Sequence, residues 1–143
     1  DYRGIQIYNK HENKVGAADF PFLSIKRINE RSAETTGRLK KMIRFLKNVK
    51  AKSGLDINLS SFDFNAMCYS IPKERYSSLV YYQLVAVIYQ QIKLFCENKT
   101  AADDLVSVDG SEYVFRNKPE KIQSLRYLKA EVESIFIDLN SHI

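Results

Sequence analysis

Tryptophan is absent from this 143-residue sequence, and there are only two Cys, two His, two Met and three Pro. Cys68 and Cys96 show neither metal nor redox spacing and sit in apolar contexts, so both read as reduced, buried thiols. With only His11 and His142, far apart in sequence, a zinc site has almost nothing to use. No apolar run reaches the roughly 18 residues that a membrane-crossing helix needs, and no signal peptide opens the chain. GxSxG, HExxH, GxxxxGKS/T and CxxC are all missing. The paired acids Asp103-Asp104 come after a helical stretch and read as solvated loop acids or a cap for the next segment, not as metal ligands. Taken on its residues alone, the chain holds no catalytic centre.

What is present is a globular composition, 45% apolar and 12% aromatic, in one domain large enough to bury a core. The net charge of +5 is unevenly placed. Residues 1–72 carry 13 basic and 7 acidic side chains, whereas residues 73–143 carry 9 and 10. A one-sided positive field points to phosphate-bearing partners. The stretch "TTGRLKKMIRFLKNVKAKSG", Thr35 to Gly54, concentrates it, with seven Lys and Arg and no acid. Leu39, Met42, Ile43, Leu46 and Val49 form one apolar stripe through it at helical spacing. Lys40, Arg44 and Lys47 share an adjoining face, where like charges repel unless an anion compensates. Ser32, Thr35 or Thr36 can cap this helix, and Ser53-Gly54 can stop it.

Around it the pattern predicts a mainly α fold of about five helices packed on a long central one. "RGIQIY", Arg3 to Tyr8, alternates as a strand, with a polar turn after it. A short helix is expected from Phe22 to about Arg31, and another opening at Ser60 or Ser61 with Asp63 in its first turn and Pro72 closing it. Arg75 or Tyr76 to about Asn98 is apolar nearly all round and should be the buried central helix. "LVSVDGSEYVF" predicts a small late β-hairpin about Asp109-Gly110. Pro119 fits the first turn of a last helix. A helix start bearing Ser60-Ser61-Phe62 suits phosphate and a stacked base. Serine as cap, Phe62 as core and lysines in water is the plainer alternative.

"ADFPFLSIKRINERSAETTGRLKKMIRFLKNVKAKSG" followed by "LSSFDFNAMCYSIP" resembles the C-terminal helical lobe of the nucleotidyltransferase superfamily. The likeness is to bacterial cyclic-oligonucleotide synthases, with oligoadenylate synthetase and cyclic GMP-AMP synthase more distant. "RGIQIYN" resembles the strand leading out of the catalytic lobe, so the resemblance implies a lobe junction in 1–20 and a helical nucleotide-binding lobe in 21–143. By the same resemblance Lys47 contacts the triphosphate, Ser61 touches phosphate, and Phe62 stacks on the base where Tyr is usual. Lys40, Lys41 and Arg44 have no firm family role and either line the same cleft or face water.

The family's glycine-serine loop and metal-binding acids belong to the catalytic lobe, before "RGIQIY". The implied parent is therefore a Mg²⁺-dependent nucleotidyltransferase, cytoplasmic and bacterial, while this chain carries no catalytic or metal-ligating residue and no cofactor of its own. The opening on Asp1 likewise reads as a piece of something longer. Implied partners are nucleoside triphosphates and the catalytic lobe, with an RNA or protein activator left open, and no membrane. Two rival readings stand beside this one. One is a stand-alone RNA-binding module gripping through Lys40, Lys41 and Arg44. The other is a protein-interaction domain presenting Tyr76, Tyr81, Tyr82 and Tyr89.

Overall fold

The structure, a computed structural model, describes residues 21–77 and 80–141, together with the backbone of 5–6 and 18–19. Strands β1 (Ile5–Gln6) and β2 (Ala18–Asp19) pair antiparallel, with Ile5 opposite Asp19. The rest of the expected strand, and the polar turn after it, lie outside the described residues.

Six α-helices come next among the described residues: α1 (Pro21–Glu34), α2 (Arg38–Lys52), α3 (Ser61–Tyr69), α4 (Tyr81–Glu97), α5 (Lys99–Asp104) and α6 (Pro119–Asn140). The mainly helical architecture agrees with the pattern, and Pro119 stands at the start of α6 as expected. Between α1 and α2 the chain reverses through two left-handed residues, Thr36 (φ 58) and Gly37 (φ 77). Gly37 takes this conformation at little cost and serves as the N-cap of α2, displacing the three candidates Ser32, Thr35 and Thr36. Thr35 still contributes, because its hydroxyl accepts from the Leu39 N–H at 3.1 Å.

The core is built on the apolar faces that the sequence marks. Leu39, Met42, Ile43, Leu46 and Val49 are all buried, joined by Phe45, and α2 packs on α3, α4 and α6. The main seam is between α4 and α6. There Leu84, Val85, Ile88 and Ile92 meet Leu125, Leu128 and Val132, each side chain contributing roughly 1.5–3 kcal/mol by leaving water.

Three expectations need correction. The central helix begins at Tyr81 rather than at Arg75 or Tyr76. Tyr76 ends a 3-10 turn (Lys73–Tyr76), is wholly buried, and donates its hydroxyl to the Cys68 carbonyl at 2.8 Å, which pulls the chain away from the axis of α4. Asp103 and Asp104 end helix α5 rather than occupying a loop; Asp103 pairs with Lys99 at 2.6 Å and Asp104 meets Arg116 at 3.5 Å. The late hairpin reduces to a single bridge, Val106 to Tyr113. The Asp109 carboxylate takes over the turn, accepting from Ser107 Oγ, Ser111 Oγ and the Ser111 N–H, while Gly110 sits at φ 76. Arg27 ties this loop to α1 by donating to the Val108 carbonyl at 2.7 Å.

Candidate functional site at the α2–α3 corner

Between α2 and α3 the chain runs extended, anchored by Ile57 and Leu59 in the core. Ser60 then caps α3. Its side chain accepts from the Asp63 N–H at 3.4 Å, while the Asp63 carboxylate accepts the Ser60 N–H at 2.9 Å and its hydroxyl at 3.2 Å. This reciprocal box pairs a hydroxyl at the cap with a side-chain acceptor three residues on, and Ser60-Ser-Phe-Asp63 supplies both. The cap falls on Ser60, so Ser61 becomes the first helical residue with its hydroxyl exposed. The two nearby phenylalanines separate sharply. Phe64 is 1% exposed and belongs to the core, whereas Phe62 is 40% exposed at the helix start.

On α2 the stripe of core residues turns Lys40, Lys41, Arg44 and Lys47 outward. Among the described residues no carboxylate pairs with Lys40, Arg44 or Lys47. Lys41 lies over the Tyr81 ring, 5.4 Å from its centroid. Lys50, one turn beyond Lys47, donates to the Leu59 carbonyl at 2.6 Å and so ties the end of α2 to the approach of α3. Lys47 stands one turn before Lys50, on the end of α2 that this bond joins to the approach of Ser61 and Phe62. Lys40 lies two turns earlier, about 10 Å further along the axis.

The contacts that fix this corner come from afar. Asp63 is 1% exposed, and Lys121 of α6 donates to its second oxygen at 2.7 Å. Ser124, one turn on, accepts the Asn58 N–H at 2.9 Å. The Ser60–Asp63 spacing is readable as a capping box, but nothing local in the sequence joins Asp63 to a lysine 58 residues away.

Elsewhere, a groove of about 390 Å³ lies at the other end of α3, lined by Tyr69, Ser70, Gln91 and Val108 among others. Of the tyrosines in the interaction reading, Tyr76 is buried in the core and Tyr89 is half-buried, stacked on Phe136 and donating to Glu133 at 2.9 Å. Among the described residues no three His, Cys, Asp or Glu gather as a metal site, and no helix is long and apolar enough to cross a membrane.

This helical frame belongs to a known class. Residues 26–135 match the cGAS/DncV-like nucleotidyltransferase C-terminal helical domain, and the chain belongs to that family. It is 52% identical over 139 residues to a c-di-GMP synthase of Lachnospiraceae bacterium (strain RUG226), a match covering 96% of this chain and 40% of that protein. The solved STING-associated CdnE c-di-GMP synthase from Capnocytophaga granulosa shares 54% identity with a TM-score of 0.88, over 100% of this chain and 47% of that one. A more distant structure, the Elizabethkingia meningoseptica CdnE cyclic dinucleotide synthase with GTP and Apcpp, shares the fold at 22% identity and a TM-score of 0.66. The chain thus spans about 40% of the length of the curated relatives it matches.

Proposed function

We propose that this helical domain grips nucleoside triphosphate for a two-lobed, cytoplasmic bacterial synthase that joins GTP into a cyclic dinucleotide. The carrying observation is the α2–α3 corner, where a lysine unpaired among the described residues, an uncommitted serine and an outward aromatic face remain after the structural roles are filled. Ser60 has taken the cap and Phe64 the core, leaving Ser61 and Phe62 available. The Asp63 N–H is bound to Ser60 Oγ and the Phe64 N–H to the Ser60 carbonyl at 3.1 Å. The first two amides of α3, Ser61 and Phe62, stay open as anion donors.

In this reading Lys47 Nζ supplies a charge-assisted bond to the triphosphate. Ser61 adds a hydroxyl donor, and the Phe62 ring stacks on the base. Such stacking contributes about 1–3 kcal/mol as read by alanine substitution. Phe62 lacks the phenol oxygen of a tyrosine, so its hold on the base comes from the ring face alone. Nucleotidyltransferases generally use Mg²⁺, which supplies charge neutralisation at the reacting phosphates. In this reading the metal and the reacting hydroxyl belong to the catalytic lobe of the full synthase.

The test is GTP affinity in the full-length protein, with and without Lys47→Ala and Phe62→Ala, alongside synthesis of c-di-GMP from GTP and Mg²⁺. Each substitution is expected to weaken GTP by about 5- to 150-fold, as for losing about 1–3 kcal/mol. A double variant that binds GTP like the parent overturns the assignment. Binding lost instead through Lys40 and Arg44, with a steep fall in salt, would mark α2 as a nucleic-acid surface.

A further inference from the structure

The α3 start poses an electrostatic problem. Its open amides favour an anion, yet Asp63 already places a carboxylate in the first turn. An uncompensated carboxylate there would repel an incoming triphosphate. Asp63 is not uncompensated. It is buried, and Lys121 meets it at 2.7 Å while itself remaining only partly exposed.

We infer that Lys121, on α6, is a positioning residue for nucleotide binding: it neutralises Asp63 and holds the first turn of α3 so that Ser61 and Phe62 can receive phosphate and base. The inference rests on the nucleotide reading of the α2–α3 corner.

Three tethers converge on residues 58–63. Lys121 holds the Asp63 carboxylate, Ser124 accepts the Asn58 N–H, and Lys50 donates to the Leu59 carbonyl. Two of them come from the first turns of α6, so the orientation of α3 is referred to the α4–α6 seam rather than to its own flanking loop. The division of labour is chemical as well as geometric. One oxygen of Asp63 serves the Ser60 cap, and the other serves Lys121. The same carboxylate thereby closes the helix end and is cancelled as a charge. Lys121 needs no contact with the nucleotide to do this.

The experiment measures the Kd of a non-hydrolysable GTP analogue with Mg²⁺, and thermal midpoints, in the full-length protein. Lys121→Met is expected to weaken the analogue about tenfold or more, the scale of a small misplacement of binding groups. Lys121→Arg, which keeps the charge, should restore affinity. The Asp63→Asn/Lys121→Met double variant removes the repelling charge as well, so it should bind better than Lys121→Met though below wild type. Recovery of the thermal midpoint without recovery of Kd would mark a purely structural contact and overturn the positioning role. Val132→Ala, buried elsewhere on α6, should lower the midpoint without moving Kd.

Lys47→Ala is measured in parallel. If it leaves Kd unchanged, the nucleotide reading itself fails. If it weakens binding while Lys121→Met does not, the positioning role is overturned and the site stands. Should Lys121→Met fail to fold, the double variant decides, because it buries no orphan charge. Affinity equal to wild type there overturns the proposal.

Discussion

Raising the pH above 9 should destabilise this domain, and two buried acids, a thiol and a phenol, contribute much of the effect. Cys68 and Tyr76 are both wholly shielded from water, and burial pushes the thiol and the phenol well above their ordinary values of 9.0 and 10.0. The neighbouring Cys68 adds to the rise at Tyr76, and Arg31 opposes it. In the unfolded chain both groups lose their protons at the ordinary values, whereas in the folded chain they keep them. The folded state then binds more protons than the unfolded one, so stability is full below about pH 9 and falls as pH rises. The slope is about 1.4 kcal/mol per pH unit for each group once its unfolded form is ionised. At pH 11 Cys68 accounts for about 3 kcal/mol and Tyr76 for about 1 kcal/mol, a large part of the roughly 5–15 kcal/mol that holds a domain together. The assay is urea unfolding under reductant, monitored by circular dichroism from pH 7 to 11, for wild type and Cys68→Ala. Every other ionisable group is common to the two proteins, so the difference between them isolates the thiol. That difference should shift by about 3 kcal/mol, in favour of Cys68→Ala, between neutral pH and pH 11. Parallel curves would show that Cys68 ionises in the folded protein, and the burial argument would fall.

Ser60→Ala removes the acceptor for the Asp63 N–H and should cost about 1 kcal/mol in urea unfolding, with weaker GTP binding as the α3 start frays. A loss of affinity without any loss of stability would instead place Ser60 in contact with nucleotide. Leu128→Ala opens the α4–α6 seam and should cost about 2–5 kcal/mol; a value below about 1 kcal/mol would mean that the seam closes around the gap.

The helices that are legible in the sequence are those whose faces differ most. In α2 the five-residue apolar stripe and the basic face beside it leave one arrangement open, and all five stripe residues are buried. The features that escape are decided by contacts remote in sequence. Tyr76 reads as helix by local pattern, yet the Cys68 carbonyl claims its hydroxyl and delays α4 until Tyr81. Alternation around Asp109-Gly110 reads as a hairpin, but Asp109 offers side-chain acceptance in place of a backbone ladder. At the corner, the capping box and the outward Phe62 are set by residues 60 to 64. Lys121 could not be found there, because the sequence leaves its partner unmarked.

The contacts at residues 58 to 63 also fix when the corner can form. Asp63 waits for Lys121, and Asn58 for Ser124, which lies 66 residues further on. Contacts so distant require the intervening chain to be closed into a loop first, which makes them late events in folding. During synthesis α2 and α3 leave the ribosome well before α6 exists. A chain stopped short of residue 121 has every proposed nucleotide-binding side chain and lacks the two α6 tethers that orient them. Under the proposed function, competence to hold a nucleotide would then be acquired near the end of folding.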